Sequence, residues 1–191
     1  VDGRELRSSD MWPPDPEKVR IDEGRFNHYG QSVFYLSSTP EGAALEVLQS
    51  EDHQAWVQEF LVRGVGRILD LCFEERWAER EWPEIAIGIL YTGAVEKAVE
   101  RVKGWKPEYF VPRFIADCAK SHGMRGIRFK SIRYFHNNLV VFEFDKDSIV
   151  PTGSPRPVEV RPEQRRVYAE IPRDSTYDAP EDEVEDTGEW E

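Results

Sequence analysis

The sequence predicts an α+β protein, and three observations support this class. Short segments rich in β-branched, aromatic and aliphatic residues, which are typical of strands, recur between residues 21 and 150. Segments with recognisable helix starts and ends lie among them. The two kinds of segment follow one another without the regular strand–helix–strand rhythm of a doubly wound sheet. The chain has 191 residues, of which 39% are hydrophobic, and this length suits one domain with its own core.

Each predicted element has a local reason. The first strand, Val33–Ser37, is followed by Thr39, a good helix N-cap, and Pro40, which is favoured in the first helical position. Near the other end of the main domain, the predicted helix Pro112–Ser121 precedes Gly123, which can supply the left-handed turn that ends a helix. The remaining predictions are helices at Pro40–Leu48, Phe73–Trp82 and Ala94–Lys103, and strands at Ala55–Val62, Arg67–Leu71, Gly126–Phe129 and Leu139–Phe144.

The two ends of the chain differ in composition from the main domain, residues 21–150. Residues 1–20 are polar and contain three closely spaced prolines, which is typical of an arm or the end of a linker. The segment Pro151–Pro157 is rich in Pro and Gly and predicts a joint, and a short strand is expected at Arg166–Ile171. Residues Asp178–Glu191 carry eight acidic residues and no basic one, which predicts a solvated, disordered tail.

Charge and hydropathy exclude several classes of function. The net charge is −12, so the chain lacks the basic surface that binding to nucleic acid requires. No apolar run approaches the ~20 residues needed to cross a bilayer, and no secretory signal is visible. Cys72 and Cys118 form no CxxC pair, and we expect reduced, buried thiols in a cytoplasmic protein. The chain begins at Val1 rather than Met, which is compatible with a domain cut from a longer polypeptide.

No generic catalytic motif is present in the sequence. It contains no GxGxxG, GxxxxGK[ST], HExxH or GxSxG pattern. The four histidines lack metal-ligand spacing with one another or with the cysteines, so we expect no metal site. What remains is a scattered set of polar and aromatic residues beside predicted strands and helices: Arg25, Asn27, Tyr35, Glu46, Ser131, Arg133, Asn137 and Asn138.

Each candidate also has an ordinary structural explanation. On a helical wheel Glu46 lies opposite Ala44 and Leu48, which is typical of a solvent-facing acid. Ser131 follows a strand and is compatible with a turn. Tyr35 lies within a strand and is equally compatible with the core. Taken one at a time, these residues leave both explanations open.

Taken together, the candidates resemble the RES domain family, which is named for an arginine, a glutamate and a serine. The resemblance spans about residues 20–145, and its segments occur in the family's order with typical separations. The matching segments are Gly24-Arg-Phe-Asn27 with Gly30 and the strand ending in Tyr35; Ala44-Leu-Glu46; and Gly126-Ile-Arg-Phe-Lys-Ser131, followed by Asn137 or Asn138 and Leu-Val-Val-Phe142.

The resemblance implies both a fold and an activity. The fold would be like that of ADP-ribosyltransferases, a split antiparallel β core flanked by helices, with NAD+ in a central cleft. Family members are bacterial toxins, commonly paired with an antitoxin. They break down NAD+ with water or phosphate as acceptor, and some transfer ADP-ribose to a protein. The expected activity is therefore NAD+ glycohydrolase or phosphorylase, with inorganic phosphate as a possible co-substrate.

The resemblance also assigns a role to each candidate. Cleavage of a glycosidic bond passes through an oxocarbenium-like state, which a carboxylate near the ribose stabilises, and Glu46 takes this role. Arg25 would bind the pyrophosphate or the attacking phosphate through its bidentate fork. Ser131 would bind a phosphate or ribose oxygen, and Tyr35 would stack beside the nicotinamide or ribose. The remaining substrate-binding candidates are Asn27 and Asn138.

Two other functions stay open at this point. One is mono-ADP-ribosyl transfer to a cellular protein, which would leave ADP-ribose on that protein rather than free. The other is a non-catalytic module whose acidic tail binds a basic partner. A toxin must be restrained in its own cell, so we expect an antitoxin or immunity protein that covers the cleft or holds the domain in a homo-oligomer. No membrane partner is expected.

Overall fold

The computed structural model describes residues 6–48, 54–72, 109–131 and 136–161. Its elements are a 3₁₀ helix at Ser8–Met11, β1 (Phe34–Ser37), α1 (Pro40–Val47), β2 (Gln54–Val62), β3 (Ile68–Asp70), α2 (Phe110–Ser121), β4 (Gly126–Lys130), β5 (Asn137–Val141) and β6 (Ile149–Glu159). Helices packed on mixed sheets confirm the predicted α+β class. The predicted elements Phe73–Trp82, Ala94–Lys103 and Arg166–Ile171 and the tail Asp178–Glu191 lie outside the described residues.

The described strands form two sheets. One has the strand order β1-β5-β4-β3, and the other pairs β2 with β6. The pairs β1–β5, β5–β4 and β2–β6 are antiparallel, whereas β3 and β4 run parallel. The parallel pair β3–β4 adds to the antiparallel pairs that the expected split antiparallel core describes. The chain between β3 and β4 includes α2 and is long enough for the crossover that parallel strands require.

The strand register of the first sheet determines which side chains share a face. Ser37 lies opposite Asn138, and Asn138 lies opposite Phe129. Cross-strand partners point to the same side of a sheet, and side chains alternate along each strand. We call the face that carries these three residues, together with Tyr35, the front face. The buried side chains of α2, Ala116 and Ala119, belong to the hydrophobic cluster on this side.

The opposite, rear face of this sheet packs against the second sheet. Phe34, Val141 and Ile149 form the buried centre of that cluster, with Phe60 packed against it. Trp12 joins the cluster, and its ring centroid lies 5.4 Å from that of Phe34 and 6.0 Å from that of Phe60. The N-terminal segment, expected to be an arm or linker end, therefore contributes a core side chain.

Helix α1 begins where the sequence predicts. The Thr39 side chain accepts a hydrogen bond of 3.1 Å from the Gly42 amide, and Pro40 occupies the first helical position. The buried residues Ala44 and Leu45 pack against the second sheet. Helix α1 therefore fills one side of the domain, while α2 fills the front of the first sheet.

The segment Pro151–Pro157, predicted to be a joint, is instead part of strand β6. Each strand of a two-stranded sheet has an open edge, where the missing N–H of a proline removes no ladder hydrogen bond. The register shifts between Val57 and Glu59, and Gly153 has a φ of 69° at this irregularity. The Gln58 side chain donates to the carbonyl of Thr152 at 2.9 Å, so the irregular backbone is still satisfied.

Strand β5 is shifted from its predicted position, because it spans Asn137–Val141 rather than Leu139–Phe144. Phe144 lies beyond the end of the strand and packs into the rear cluster. The chain then turns at Asp145, whose carboxylate accepts a 2.7 Å hydrogen bond from the Ser148 amide. Alternation of apolar residues thus extended the predicted strand past its true end.

The expectation of two buried thiols is wrong for Cys118. Both cysteines are free, but Cys118 is exposed and Cys72 is half-buried. Among the described residues, no helix has the length and apolar character needed to span a bilayer.

Candidate active site

The Glu46 carboxylate lies at the front face and is held by one side chain of β5 and by one that directly follows β4. Ser131 Oγ donates to Glu46 Oε1 at 2.6 Å, and Asn138 Nδ2 donates to the same oxygen at 2.8 Å. Ser131 is 3% exposed and Asn138 is 6% exposed, so both hydrogen bonds are shielded from water. Within the described part of the chain, no hydrogen bond engages the second oxygen, Oε2. One oxygen is thus fixed while the other stays available to a ligand.

Two different faces of α1 pack against the rest of the domain. The helical wheel therefore gave the wrong environment for Glu46. Ala44, Leu45 and Leu48 are buried toward the second sheet. Gly42 and Glu46 are four residues apart and therefore share another face of the helix. That face is turned toward the ends of β4 and β5, where the partners of Glu46 lie. Glu46 is consequently not the solvent-facing acid that the wheel suggested.

The register also separates the two neighbouring asparagines. Asn138 is on the front face and binds Glu46. Asn137 alternates to the rear face, where its Oδ1 accepts a 3.2 Å hydrogen bond from Cys72 Sγ. Burial raises the pKa of the Cys72 thiol to about 11. Of the two asparagines that matched the sequence motif, only Asn138 contacts the candidate acid.

Arg25 reaches the front face from the loop that precedes β1. Its guanidinium carbon lies 5.8 Å from the centroid of the Phe129 ring. Phe129 and Asn138 are cross-strand partners, and the Cα atoms of such a pair lie about 4.5–5.5 Å apart. The cation of Arg25 and the carboxylate of Glu46 therefore contact neighbouring positions of the front face.

Tyr35 joins the Arg25 loop to the sheet. Its hydroxyl accepts a 3.0 Å hydrogen bond from the Phe26 amide and donates at 3.1 Å to Asn27 Oδ1. Burial of this hydroxyl raises the pKa of Tyr35 to about 12. The residue as a whole is still 44% exposed, so part of its ring faces outward while its oxygen is enclosed. Tyr35 is thus neither a core residue nor a freely exposed one.

Asn27 has a structural role in the same loop. It is only 3% exposed, and its Nδ2 donates to the carbonyls of Asp22, His28 and Gln31 at 3.1, 3.1 and 3.3 Å. Its Oδ1 accepts from Tyr35. These contacts occupy both ends of the amide, so Asn27 holds the loop that carries Arg25.

Three polar contacts join this loop to α2. The buried Arg113 guanidinium, 6% exposed, forms an ion pair with Glu23. The other two contacts are more exposed: His28 Nε2 with Asp117 Oδ2 at 2.7 Å, and Lys120 Nζ with Gln31 Oε1 at 3.1 Å. The loop is therefore anchored on both sides of Arg25, to β1 through Tyr35 and to α2 through Glu23.

The assembled site has a definite chemical character. On one face of a sheet it combines a cation, a partly exposed aromatic ring and a carboxylate whose Oε2 accepts no hydrogen bond from the described residues. Such a surface suits a ligand that is anionic at one end and gains positive charge at the other during reaction. Among the described residues, no group of three or more His, Cys, Asp or Glu side chains could hold a metal ion.

Sequence reasoning missed His136 as a member of this site. Its Nε2 lies 2.9 Å from Asn138 Oδ1, so it contacts a partner of Glu46. The available signal was its position two residues before Asn138, at the start of a strand. That position alone does not indicate a function, because His136 has no metal-ligand spacing with the other histidines or the cysteines.

Comparison with known proteins identifies the family of the chain. The family model described as RES domain matches residues 3–161, which is more than half of the 191 residues. The match includes Trp12 and strand β6, which lie outside the segment that carried the resemblance in the sequence. A search of curated proteins found no match. The chain belongs to the RES domain family.

Proposed function

We propose that this protein breaks the nicotinamide–ribose bond of NAD+ and acts as a toxin by depleting NAD+. The observation that carries the proposal is the Glu46 carboxylate, held through one oxygen by Ser131 and Asn138 on the face where the Arg25 guanidinium contacts Phe129. Membership of the RES domain family, which is linked to NAD+-related toxins, supports the same substrate.

The proposed reaction needs a carboxylate more than it needs an acid. The bond between the ribose anomeric carbon and the nicotinamide nitrogen breaks, and its electron pair neutralises the positively charged pyridinium ring. Nicotinamide therefore leaves as a neutral molecule without taking up a proton. Positive charge moves to the ribose, where Oε2 of Glu46 stabilises it or binds a ribose hydroxyl.

The acceptor completes the reaction. With water, a new carbon–oxygen bond forms ADP-ribose and a proton is released. With inorganic phosphate, a phosphate oxygen bonds to the anomeric carbon and the product is ADP-ribose 1-phosphate. Arg25 suits the binding of a phosphate group of either reactant, because a guanidinium can donate two parallel hydrogen bonds to it. The partly exposed ring of Tyr35 offers a surface on which a flat ring can stack.

This activity implies a partner and a place of action. An enzyme that depletes NAD+ harms its own cell, so a producing cell requires an antitoxin or immunity protein that blocks the cleft. The substrate is abundant in the cytoplasm, and we propose that the toxin acts there. Self-association that closes the cleft is a second way to restrain it.

The direct test compares Glu46→Gln with Glu41→Gln in an assay of NAD+ consumption by the purified full chain, freed of any bound inhibitor. Glu41 lies on the same helix, in its first turn, and undergoes the same chemical change. We expect Glu46→Gln to lower kcat by about 10²–10⁴-fold, the range typical for loss of a group that stabilises transition-state charge. Glu41→Gln should stay within about threefold of wild type, as expected for a surface change.

Two further readings of the assay identify the acceptor and can contradict the proposal. A rate that rises with added phosphate, with ADP-ribose 1-phosphate as product, identifies phosphorolysis; ADP-ribose at a phosphate-independent rate identifies hydrolysis. An equal rate for Glu46→Gln and wild type would contradict the assigned site. Intact NAD+ with folded wild type, combined with a mass increase on an added cellular protein, would show mono-ADP-ribosyl transfer instead.

A further inference from the structure

The ring of His136 lies directly against the first turn of α1. A Cβ atom built on Gly42 would fall 2.5 Å from His136 Nε2 and 2.6 Å from both Cδ2 and Cε1. No side chain larger than hydrogen fits at position 42 while the ring stays in place. Glycine within a helix lowers stability by about 0.5–1 kcal/mol relative to alanine, so its presence at position 42 needs a reason. Contact with His136 supplies that reason.

The direction of the hydrogen bonds shows what the ring does. Asn138 Nδ2 faces Glu46 Oε1 at 2.8 Å, and a carboxylate can only accept, so the amide NH₂ must be on that side. Asn138 Oδ1 therefore faces His136 Nε2, at 2.9 Å. An amide oxygen has no hydrogen to donate, so His136 Nε2 must carry one. The hydrogen bonds from His136 and Asn138 thus run in one direction and end on Glu46.

The backbone of His136 acts on the other partner of Glu46. The carbonyl of His136 accepts a 2.9 Å hydrogen bond from the Ser131 amide. Ser131 Oγ in turn donates to Glu46 Oε1 at 2.6 Å. His136 therefore contacts both residues that hold the candidate carboxylate: its ring contacts the Asn138 side chain, and its carbonyl contacts the Ser131 backbone amide.

We propose that His136 is a positioning residue for Glu46. Its Nε2–H selects the orientation of the Asn138 amide that presents NH₂ to the carboxylate. Without this donor the amide can turn over and place its oxygen against Glu46, so that two acceptors would face each other. Gly42 provides the space in which the ring adopts this position. The role assigned to His136 is exerted on Glu46 through Asn138 and Ser131, and not by contact with the reacting atoms.

The first test does not depend on any activity. Two-bond ¹H–¹⁵N spectra of the full-length protein distinguish a histidine protonated at Nε2 from one protonated at Nδ1. The His136 signals are identified by their loss in His136→Gln, with His122→Gln as the matched control at the exposed end of α2. We expect the Nε2–H form at neutral pH and slow hydrogen exchange of the Asn138 side-chain amide. A His136 ring protonated only at Nδ1 would overturn the proposal.

The second test rests on the proposed function and compares three variants in NAD+ consumption. His136→Leu removes the donor, and we expect kcat to fall about 10–100-fold with KM changed less than about threefold, as when a side chain that orients a functional group is lost. His136→Gln can place an amide N–H near the position of Nε2 and should restore kcat to within about threefold of wild type. Gly42→Ala keeps the histidine but displaces its ring, and should reproduce the loss seen with Leu.

The outcomes separate the two proposals. Equal kcat for His136→Leu and His136→Gln in folded proteins would overturn the positioning role, because a purely structural residue would not discriminate between them. If folded wild type leaves NAD+ intact, the proposed function fails. The spectra alone then decide whether His136 orients Asn138, since rapid exchange of the Asn138 amide in His136→Leu but not in His136→Gln would support it.

Discussion

Glu46 and Arg25 meet at the same face of the sheet but are held there in different ways. Glu46 is bound directly, by hydrogen bonds from Ser131 and Asn138 to its own carboxylate. Around Arg25, by contrast, the described hydrogen bonds fix the loop, through Tyr35 on one side and the Glu23–Arg113 pair on the other. The candidate acid Glu46 is oriented by the side chains of its neighbours, whereas the candidate cation Arg25 is placed by the path of its backbone.

This difference predicts where mutations will act. A change near Glu46 alters the carboxylate while the surrounding sheet and helix stay packed, so its main effect should be on catalysis. A change in the anchors of Arg25 releases part of a loop that also carries the buried Phe26. Its main effect should be on stability, with loss of activity as a consequence. Measuring both quantities on both sides of the site therefore tests the comparison.

The largest expected effect on stability is that of Arg113→Met. This change removes the cation beside the Glu23 carboxylate at a site where Arg113 is 6% exposed. Breaking a buried ion pair by removing one partner typically lowers the free energy of unfolding by about 3–5 kcal/mol. Urea denaturation of the purified protein measures this loss.

The matched control for Arg113→Met is Arg125→Met. Arg125 pairs with Glu143 on the surface, where the two side chains are 51% and 70% exposed. Exposed pairs contribute about 0–1 kcal/mol, so the control should lose at most that amount. Equal losses for the two variants would show that the Glu23–Arg113 pair does not anchor the loop, and the contrast drawn above would fail on this side.

On the Glu46 side, we expect Ser131→Ala and Asn138→Ala to lower kcat by about 10–100-fold each, with a smaller loss of stability than Arg113→Met. Hydrogen bonds to charged groups contribute about 1.5–3 kcal/mol, which corresponds to this range of rates. Both donors bind the same oxygen, so their effects should not be independent. The fold decrease in kcat of the double variant, measured by steady-state NAD+ consumption, should be smaller than the product of the two single decreases. Losses that simply multiply would show that the two donors act separately.

Elements of this fold were predictable where their signals are local. Thr39 and Pro40 start α1, and Gly123, with a φ of 71°, follows the end of α2, because caps and turns depend on adjacent residues. The fold class followed from the same kind of signal. The motif residues of the site were found from a resemblance to a family, since none of them stands out by spacing alone.

The features that were missed depend on contacts between distant parts of the chain. The proline-rich segment Pro151–Pro157 forms a strand because β2 is there to pair with it. The helical wheel shows that Glu46 and Ala44 lie on different faces of α1. It cannot show that the face with Glu46 packs against the first sheet. The position of His136 next to Asn138 is visible in the sequence, but its packing against Gly42, which lies in another element, is not. The structure at these positions depends on contacts with residues distant in the sequence, which local sequence patterns do not reveal.

Tyr35→Phe should change stability less than Arg113→Met, and its effect should depend on pH. The hydroxyl makes two hydrogen bonds to the Arg25 loop, and burial raises the pKa of Tyr35 from 10.0 to about 12. Between these values an unfolded chain loses the proton while the folded protein keeps it, so the stability from Tyr35 falls as pH rises. At pH 8 we expect Tyr35→Phe to lower the free energy of unfolding by about 1 kcal/mol, the net contribution of a hydrogen bond. This difference from wild type should shrink as the pH rises from 10 to 12.

Urea denaturation at a series of pH values tests this, with Tyr29→Phe as the control. Tyr29 lies on the same loop and is 55% exposed. Loss of its hydroxyl should change the free energy of unfolding only slightly, and by the same amount at every pH. A difference for Tyr35→Phe that stays constant to pH 12 would mean that its hydroxyl is not enclosed by residues 26 and 27. The anchor between the Arg25 loop and β1 would then be absent in solution, and Arg25 would be held from the side of α2 alone.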